Sequence, residues 1–369
     1  MPVRVHVVDP SAYTPPYDHA LCAALAAAGA EVELYTSRFA YAVPPPPEGY
    51  ARHEFFYRRA GARARARTRR LAKLAEHVPD MLRYRRAARA AQVVHIQWLP
   101  VQQLDGALLP RGRPLVLTAH DILPREARAG QRAAQRLLYR RFDAVIAHSG
   151  RGRARLVGEL GVDAARVHVI PHGAFTHLSE GAERAAPRLR SELPVVLCFG
   201  LLRPYKGIEL LLAAWRGIER AELWIVGLPR MDISALVAGA PSGVRFDARF
   251  ISDPELRGYF DRADLVVLPY LEADQSGVAL TALAFAKPVL LSDVGGFAEL
   301  AATGAARAVP AGDVHALHEA LAELLADAAQ RSALAERAAR VAHERFAWAE
   351  VARRTLDVYG GLLGDNGAR

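Results

Sequence analysis

Short β-branched apolar runs alternate with longer Ala- and Leu-rich stretches along the whole chain. The short runs have the length and composition of buried strands, and the longer runs are typical of helices. In the first half, strands are predicted at Val3–Val8, Glu31–Thr36, Val93–Gln97, Leu115–His120, Ala144–Ser149 and Val167–His172. In the second half, they are predicted at Val195–Gly200, Glu222–Gly227, Val244–Phe250, Asp264–Tyr270 and Pro288–Asp293. This alternation indicates parallel sheets with helical crossovers, so the predicted fold class is α/β.

A polar break divides this pattern into two domains. Between Phe175 and Pro194 the strand pattern is lost, as expected of an interdomain connection, and we place the boundary near residue 185. A chain of 369 residues, 51% of them hydrophobic, also exceeds what a single core usually contains. The predicted domains are residues 1–185 and 186–345, followed by a terminal helical segment over residues 346–369.

The turn after the predicted strand Val195–Gly200 combines two cations with a glycine. Arg203 and Lys206 precede Gly207, and an apolar helix is predicted from Ile208 onward. Ligands of open parallel sheets bind beside the carboxyl ends of the strands, which is where this turn lies. A guanidinium can bind phosphate oxygens in a bidentate manner, and an ammonium adds a compact charge. The turn therefore predicts a diphosphate site, with two solvated loop cations as the alternative.

This turn and several other motifs resemble the family-four retaining glycosyltransferases. The donor-phosphate motif of that family, Gly-x-x-Arg-x-x-Lys-Gly, occurs from Gly200 to Gly207. The other matching segments are Val169–Gly173, Ala263–Pro269, Lys287–Val289, Ser292–Gly296 with Glu299, and Phe346–Trp348. The resemblance implies the GT-B architecture, in which two Rossmann-like domains face each other across a cleft. It also implies that the last helix packs back on the N-terminal domain.

The resemblance assigns the donor diphosphate to two elements. Gly200, Arg203 and Lys206 belong to the first, and the two cations would act catalytically by stabilising the departing diphosphate. The second is the start of a later helix, where backbone N–H groups and the helix dipole favour anions. Its residues are Ser276, Gly277 and Val278. Because no Asp-x-Asp metal motif occurs in the chain, we predict a metal-independent enzyme without a cofactor.

The chain departs from the family at this second element. The family usually has two glutamates there, and the corresponding positions are Ala273 and Thr281. Either Asp274 or Glu272 is expected to replace the first carboxylate, and the Thr281 hydroxyl is expected to contact the donor ribose. Some members of the family have Gln-Ser-Gly in this loop, as this chain does at residues 275–277, so the departure indicates a subgroup.

Two regions of the N-terminal domain are further candidates. The family's His-Asp-x-x-Pro motif occurs at residues 120–124, and by resemblance His120 is a catalytic residue that orients the donor sugar. The loop after the first strand faces the acceptor in the family. We therefore expect Tyr13, Tyr17 and Asp18 to contact the acceptor.

A basic segment accounts for the net charge of +9, since thirteen Arg or Lys side chains and three acidic ones lie between Arg52 and Arg89. A solvated helical face would have a similar composition, and this remains the alternative to an anionic partner. The first candidate partner is the inner membrane leaflet, where each Lys or Arg gains about 1 kcal/mol near anionic lipid. A nucleic-acid partner is not expected, because no recognisable nucleic-acid module accompanies the segment.

The localisation expected from the sequence is cytoplasmic, with peripheral binding at the inner membrane face if the basic segment is functional. No uninterrupted apolar stretch reaches about 18 residues, and the N-terminus continues directly into the first predicted strand. The two cysteines, Cys22 and Cys198, each lie in an apolar run and do not form a disulfide framework.

These observations predict a hexosyltransferase that acts in glycan biosynthesis. It would move a sugar from a nucleotide diphosphate donor to a saccharide, lipid-linked or other glycoconjugate acceptor. The resemblance implies retention of anomeric configuration, with the departing phosphate accepting the proton of the acceptor hydroxyl. One alternative is a catalytically degenerate relative that binds sugar nucleotide or membrane and supports another transferase. Another is a sugar-nucleotide epimerase or a phosphorylase, although the signatures that either would require are not recognisable.

Overall fold

The structure is a computed structural model that divides into two compact units. The first unit consists of Met1–Pro171 and Trp348–Arg369, and the second of His172–Ala347. The backbone is described for residues 2–60, 66–123, 131–181 and 183–366. Side chains are described in the same ranges except for residues 66–71 and 365–366.

The first unit contains a parallel sheet of seven strands in the order β3-β2-β1-β4-β5-β6-β7. The strands are β1 (Arg4–Asp9), β2 (Glu31–Ser37), β3 (Ala51–Phe56), β4 (Val93–Ile96), β5 (Leu115–Thr118), β6 (Ala144–Ala147) and β7 (Val167–Val169). Every residue of β4, β5 and β6 is buried, because helices cover both faces of a parallel sheet. This burial explains why these strands are nearly continuous apolar runs.

Five helices of this unit precede Pro171 in the described ranges: α1 (Pro15–Ala27), α2 (Ala66–Ala87), α3 (Gln102–Leu108), α4 (Gln131–Tyr139) and α5 (Gly150–Gly158). Helix α1 begins with proline, which has no N–H to leave unpaired in the first turn. Ser149 caps α5, since its hydroxyl accepts a hydrogen bond of 2.9 Å from the N–H of Gly152.

The second unit contains a parallel sheet of six strands in the order β10-β9-β8-β11-β12-β13. The strands are β8 (Val195–Phe199), β9 (Glu222–Val226), β10 (Val244–Asp247), β11 (Leu265–Leu268), β12 (Val289–Ser292) and β13 (Arg307–Val309). The helices are α6 (Thr176–Glu180), α7 (Ile208–Ala214), α8 (Ser234–Ala238), α9 (Asp253–Arg262), α10 (Gly277–Ala284), α11 (Phe297–Ala301), α12 (Val314–Ala326) and α13 (Ala328–Arg345). The strand order reverses between β8 and β11, and ligands of such sheets bind at this switch point. The predicted α/β class is therefore confirmed in both units.

The last helix, α14 (Trp348–Asn366), belongs to the first unit and packs on α1. The Tyr359 hydroxyl lies 2.6 Å from Nδ1 of the buried His95, whose Nε2 lies 2.7 Å from the Thr118 hydroxyl. At the start of α14, the Trp348 ring centroid lies 5.1 Å from that of Tyr17 in α1. One polar contact thus joins α14 to the first sheet, and one aromatic contact joins it to α1.

Two strands were not predicted, and both lie at sheet edges. Strand β3 has the sequence Ala-Arg-His-Glu-Phe-Phe, in which polar residues interrupt the apolar pattern because an edge strand is partly solvated. Strand β13 has only three residues, fewer than a hydrophobic pattern needs to be recognised.

The division between the units falls after Pro171, whereas the sequence analysis placed it near residue 185. The intervening segment forms hydrogen bonds within the second unit. The N–H of Ala174 donates to the carbonyl of Phe346 at 2.8 Å, and the N–H of Ala185 donates to the carbonyl of Pro254 at 2.9 Å. The segment is polar in sequence, but its backbone is bound to the second unit.

In the described part of the chain, no helix combines the length and the apolar character that crossing a membrane requires.

Candidate functional site

The turn after β8 is held by a close backbone contact. Residues Pro204–Lys206 form a 3₁₀ turn that ends at Gly207, which has a left-handed φ of 67°. A Cβ added to Gly207 would lie 2.0 Å from the carbonyl oxygen of Pro269, so only glycine fits without movement. The contact places the turn directly against the residues that follow β11.

Lys206 is buried in this turn and is 7% exposed. Its ammonium donates a hydrogen bond to the hydroxyl of Tyr270, and Nζ lies 4.0 Å from the centroid of that ring. The Tyr270 hydroxyl in turn lies 3.4 Å from the hydroxyl of Ser276. A chain of polar contacts thus joins the lysine of the β8 turn to the start of α10.

The two predicted phosphate elements meet at Gly200, which has a φ of 114°. A Cβ added there would lie 3.5 Å from Nζ of Lys206 and 3.1 Å from Cγ2 of Val278. Ser276 caps α10, and the first N–H groups of a helix have no partners inside the helix. The ammonium and the positive end of α10 therefore favour an anion at one common place.

Arg203 begins the same turn and is half-buried. Its carbonyl accepts a hydrogen bond of 3.0 Å from the N–H of Lys206, which fixes its backbone. Its guanidinium forms no ion pair or hydrogen bond with the residues that the structure describes. The side chain is therefore available to bind an anion beside Lys206.

The loop that departs from the family is packed against a second glycine turn. A Cβ added to Gly295 would lie 1.4 Å from the carbonyl oxygen of Ala273, and the N–H of Gly296 donates to the carbonyl of Asp274 at 3.2 Å. Asp274 is half-buried in this packed part of the loop, whereas Glu272 is exposed. The two candidate carboxylates therefore have different environments.

Thr281 lies in α10 and is 5% exposed. Its hydroxyl donates to the carbonyl of Gly277, one turn earlier, at 2.9 Å. Because its one hydrogen is used inside the helix, the hydroxyl can only accept a further hydrogen bond.

In the first unit, His120 lies after β5 and is 6% exposed. Its ring is stacked on Trp98 with centroids 4.9 Å apart and 9° between the planes. Its Nε2 lies 3.0 Å from Oε1 of Gln97, and its Nδ1 lies 3.3 Å from Nε2 of His148. Burial lowers the pKa of His148 to about 4, so this neighbour is neutral near pH 7. The His120 imidazole thus has a fixed orientation.

Pro124, the last residue of the same motif, lies outside the described residues. Gln97 and Trp98 directly follow β4 and were not among the predicted site residues. Their position after a strand was the signal that could have identified them.

Of the three expected acceptor contacts, only Tyr13 presents its side chain at the surface of the first unit. Tyr13 is 50% exposed, and its ring centroid lies 4.4 Å from that of Trp98. Tyr17 is 3% exposed, and its ring packs edge-on against His120 and Trp348. The buried Tyr17 ring therefore supports the neighbouring rings of His120 and Trp348 and does not present a surface for direct contact with an acceptor.

Asp18 is also buried, with 1% exposure, because the first turn of α1 directs it towards the end of β1. It is hydrogen-bonded to Asp9, which also accepts from the N–H groups of Ser11 and Thr14 at 3.1 and 3.2 Å. Burial raises the pKa of both carboxyl groups, and repulsion from Asp9 raises that of Asp18 further. Asp18 thus lies beneath the loop that follows β1, with its carboxyl group buried against Asp9.

Comparisons with known proteins show the family of this chain. The family model "Glycosyltransferase Family 4" matches residues 17–178, and the model "Glycosyl transferases group 1" matches residues 193–327. The lipopolysaccharide core biosynthesis mannosyltransferase LpcC of Rhizobium leguminosarum bv. viciae is 30% identical over 249 residues, which are 62% of this chain and 67% of that protein. The chain belongs to the family-four glycosyltransferases. A D-inositol 3-phosphate glycosyltransferase of Kineococcus radiotolerans is 30% identical over 275 residues, covering 65% of this chain. This family-four glycosyltransferase spans 62% of the length of that relative.

A solved structure shows the fold of this glycosyltransferase. Anabaena HepE in complex with UDP-glucose superposes with a TM-score of 0.74 at 19% identity, covering 97% of this chain and 99% of that chain. The two Rossmann-like units and this similarity confirm the GT-B fold.

Proposed function

We propose that this glycosyltransferase transfers a hexosyl group from a nucleoside diphosphate sugar to a hydroxyl of a saccharide, lipid-linked or other glycoconjugate acceptor. The observation that carries the proposal is the meeting of the buried Lys206 with the start of α10 beside Gly200. A diphosphate is the part of such a donor that this positive site fits. The UDP-glucose complex of HepE supports the same class of donor, and the mannosyltransferase among the relatives supports the transfer of a hexosyl group.

Each residue of this site has a proposed part in donor binding. Lys206 supplies a positioned positive charge, and Arg203 adds a guanidinium that can bind two phosphate oxygens. Gly200 has no side chain, so the space beside the Lys206 ammonium stays open; the side chain of any other residue would fill it. The N–H groups at Gly277 and Val278 complete the site from the other side.

The proposed reaction retains the configuration of the anomeric carbon. The bond from this carbon to the phosphate oxygen breaks while a bond to the acceptor oxygen forms on the same face. The acceptor proton passes to the departing phosphate, so the products are the glycoside and a nucleoside diphosphate. Lys206 and Arg203 stabilise the charge that develops on the phosphate, which is the role given elsewhere to a divalent metal ion. We therefore propose that the transfer is independent of metal.

The role of His120 in orienting the donor sugar stays a prediction from the resemblance. The roles of Asp274 and Thr281 at the donor ribose stay predictions as well. Thr281 would accept a hydrogen bond from a ribose hydroxyl, because its own hydrogen is used by Gly277. The altered loop would then characterise a Gln-Ser-Gly subgroup of the family.

We also propose that residues 52–89 bind an anionic membrane surface. In the described part of this segment, Leu74 and Leu82 of α2 are 49% and 44% exposed, and Arg86 and Arg89 are exposed as well. Exposed leucines next to basic side chains are typical of helices that bind at a lipid interface. The arginines between residues 61 and 71 lie outside the described side chains. Failure to sediment with anionic liposomes at low salt would contradict this proposal, and neutral liposomes are the control.

The first experiment uses UDP-, GDP-, ADP- and dTDP-sugars without metal and follows both thermal stabilisation and slow donor hydrolysis. We expect one nucleotide class to stabilise the protein and to release its nucleoside diphosphate. Arg203→Ala and Lys206→Met should reduce this release about 10²-fold, as for other positioned electrostatic groups. The exposed Arg216 lies in the same unit, and Arg216→Ala is the matched control.

The outcomes separate the proposal from its alternative. Stabilisation without release, even with saccharide acceptors added, would favour the catalytically degenerate relative. No response to any of the donors would contradict the diphosphate site itself.

A further inference from the structure

Tyr270 follows β11, and the β8 turn holds the backbone on both sides of it. Before it, the carbonyl oxygen of Pro269 lies so close to Gly207 that an added Cβ would be 2.0 Å away. After it, the N–H of Leu271 donates a hydrogen bond of 2.8 Å to the carbonyl of Tyr205. The backbone of Tyr270 is therefore fixed relative to that turn.

The Tyr270 ring is also fixed by packing. It is 2% exposed, and its centroid lies 5.2 Å from that of Phe297. On another side it meets Tyr205 edge-on, with centroids 6.0 Å apart and 86° between the planes. Because buried side chains interdigitate at high density, these neighbours hold the hydroxyl of the ring in one place.

Both the hydroxyl and the ring of Tyr270 contact the Lys206 ammonium. The ammonium donates a hydrogen bond to the hydroxyl, and Nζ lies 4.0 Å from the ring centroid, within the range of roughly 6 Å for a cation–π interaction. Lys206 is 7% exposed, and burying a charge is costly unless such contacts compensate. The lysine stem is flexible, so a contact that selects one conformation also determines where the charge lies.

The same hydroxyl lies between the two elements of the proposed diphosphate site. Because the ammonium can only donate, the Tyr270 oxygen accepts from it and keeps its own hydrogen for a second partner. The hydroxyl of Ser276, which caps α10, lies 3.4 Å from that oxygen. One phenol group thus connects the Lys206 ammonium to the start of α10, and both lie beside Gly200.

We propose that Tyr270 is a positioning residue of the diphosphate site. It holds the Lys206 ammonium at the place that the first N–H groups of α10 also favour for an anion, and it acts through the lysine without contacting the anion itself. The assignment to donor binding rests on the proposed function, whereas the dependence of anion binding on Tyr270 and Lys206 does not.

The test measures pyrophosphate binding and donor hydrolysis by the full chain without metal. Tyr270→Phe keeps the ring and removes the hydroxyl, so the core stays filled. Phosphorus NMR titration should show pyrophosphate binding weakened about 3- to 10-fold, as for the loss of one hydrogen bond. Donor hydrolysis should decrease about 10-fold, because the charge remains but is less well placed.

Tyr259 provides a matched control in the same unit. It is fully buried in α9, and its hydroxyl donates to Asp247 at 2.5 Å. Tyr259→Phe therefore also removes one buried hydroxyl bond, and its thermal midpoint should decrease at least as much as that of Tyr270→Phe. Pyrophosphate binding and donor hydrolysis should nevertheless change less than about 2-fold in this control.

A double variant distinguishes action through Lys206 from a separate contact. Lys206→Met alone should weaken pyrophosphate binding at least about 10-fold, because it removes a charged hydrogen-bond donor. In the Lys206→Met background, Tyr270→Phe should change binding and hydrolysis by less than about 2-fold, since no ammonium remains for the hydroxyl to hold.

Three results would overturn the proposal: wild-type binding and hydrolysis in Tyr270→Phe, an undiminished effect of this change in the Lys206→Met background, or an equal loss of hydrolysis in Tyr259→Phe. Absence of pyrophosphate binding by the wild type would overturn the diphosphate site together with it. Pyrophosphate binding that depends on both Lys206 and Tyr270, without donor hydrolysis by the wild type, would contradict the transfer reaction and leave the positioning role intact. Hydrolysis that is lost in Lys206→Met and retained in Tyr270→Phe would contradict the positioning role alone.

Discussion

Replacing Gly207 by alanine tests whether the donor site depends on the contact between the β8 turn and Pro269. The new Cβ would lie 2.0 Å from the carbonyl oxygen of Pro269, and real Cβ atoms essentially never approach within 3.0 Å. The turn must therefore move by about 1 Å, and it carries Lys206 with it. A displacement of this size can lower the rate of a positioned reaction about 10²-fold.

A matched control separates this contact from the cost of the backbone conformation. Gly217 lies in the same unit with a φ of 83°, and an added Cβ would meet no atom within 4 Å. Gly217→Ala should therefore cost only the left-handed conformation, about 1–2 kcal/mol. Gly207→Ala should cost that amount and a further ~1–3 kcal/mol for overpacking.

Urea unfolding and donor hydrolysis measure the two effects. We expect a lower urea midpoint for both variants, with the larger decrease in Gly207→Ala, and a loss of hydrolysis in Gly207→Ala alone. Equal decreases in stability, or wild-type hydrolysis in Gly207→Ala, would refute the reasoning.

Three further predictions concern titration and metal. Burial raises the pKa of Asp18 well above 3.8 and also raises the pKa of Asp9. The contribution of the two protonated carboxyl groups to the free energy of unfolding is therefore complete below about pH 3.8, and it is lost as the pH rises through the raised pKa values. In Asp18→Asn, the urea midpoint should therefore decrease less as the pH rises than it does in the wild type. An unchanged pH dependence would contradict this prediction, and Asp357→Asn is the exposed control. Burial lowers the pKa of His95 from 6.5 to about 3. The contribution of the neutral imidazole to the free energy of unfolding is therefore complete above pH 6.5, and it decreases by about 1.4 kcal/mol per pH unit as the pH falls towards 3. His95→Gln should flatten this acid decrease in unfolding experiments, whereas the exposed His315→Gln should leave its slope unchanged. Finally, EDTA should not change turnover, and a loss that magnesium restores would exclude a metal-independent reaction.

Strands with both faces covered have the clearest hydrophobic pattern. Strand β11 reads Leu-Val-Val-Leu and β12 begins with Val-Leu-Leu, because each residue packs against a helix on one side of the sheet or the other. The edge strands β3 and β13 have one neighbour each, so their sequences are not constrained in this way. Hydrophobic pattern therefore identified every central strand and two edge strands, β7 and β10, but missed the other edge strand of each sheet.

The donor site could be predicted in part because its first element is local. Arg203, Lys206 and Gly207 occupy one turn, and their chemistry is recognisable from composition and spacing alone. Their proximity to Val278 depends on the parallel pairing of β8 with β11, which brings two distant chain segments to the same end of the sheet. Only the resemblance to a family connected these segments before the structure did.

Burial accounts for the features of the first unit that were not predicted from the sequence. Asp18 in the first turn of a helix is typical of an exposed residue, yet it lies under its own loop with 1% exposure. Gln97 and Gln135 have no motif or spacing that relates them, and they meet because β4 and α4 flank the same end of the first sheet. Side-chain burial of this kind arises from packing among segments far apart in sequence, which no local pattern encodes.

The sequence by itself therefore determined the α/β class, the covered strands, and the cationic glycine turn that follows β8. The tertiary structure alone decided that Lys206 is buried against Tyr270, that Asp18 shares a buried site with Asp9, and that two buried glutamines line one cavity. The physical reason is that periodicity and turn chemistry act over a few residues. The free energy of a buried polar group instead depends on every neighbour that removes it from water.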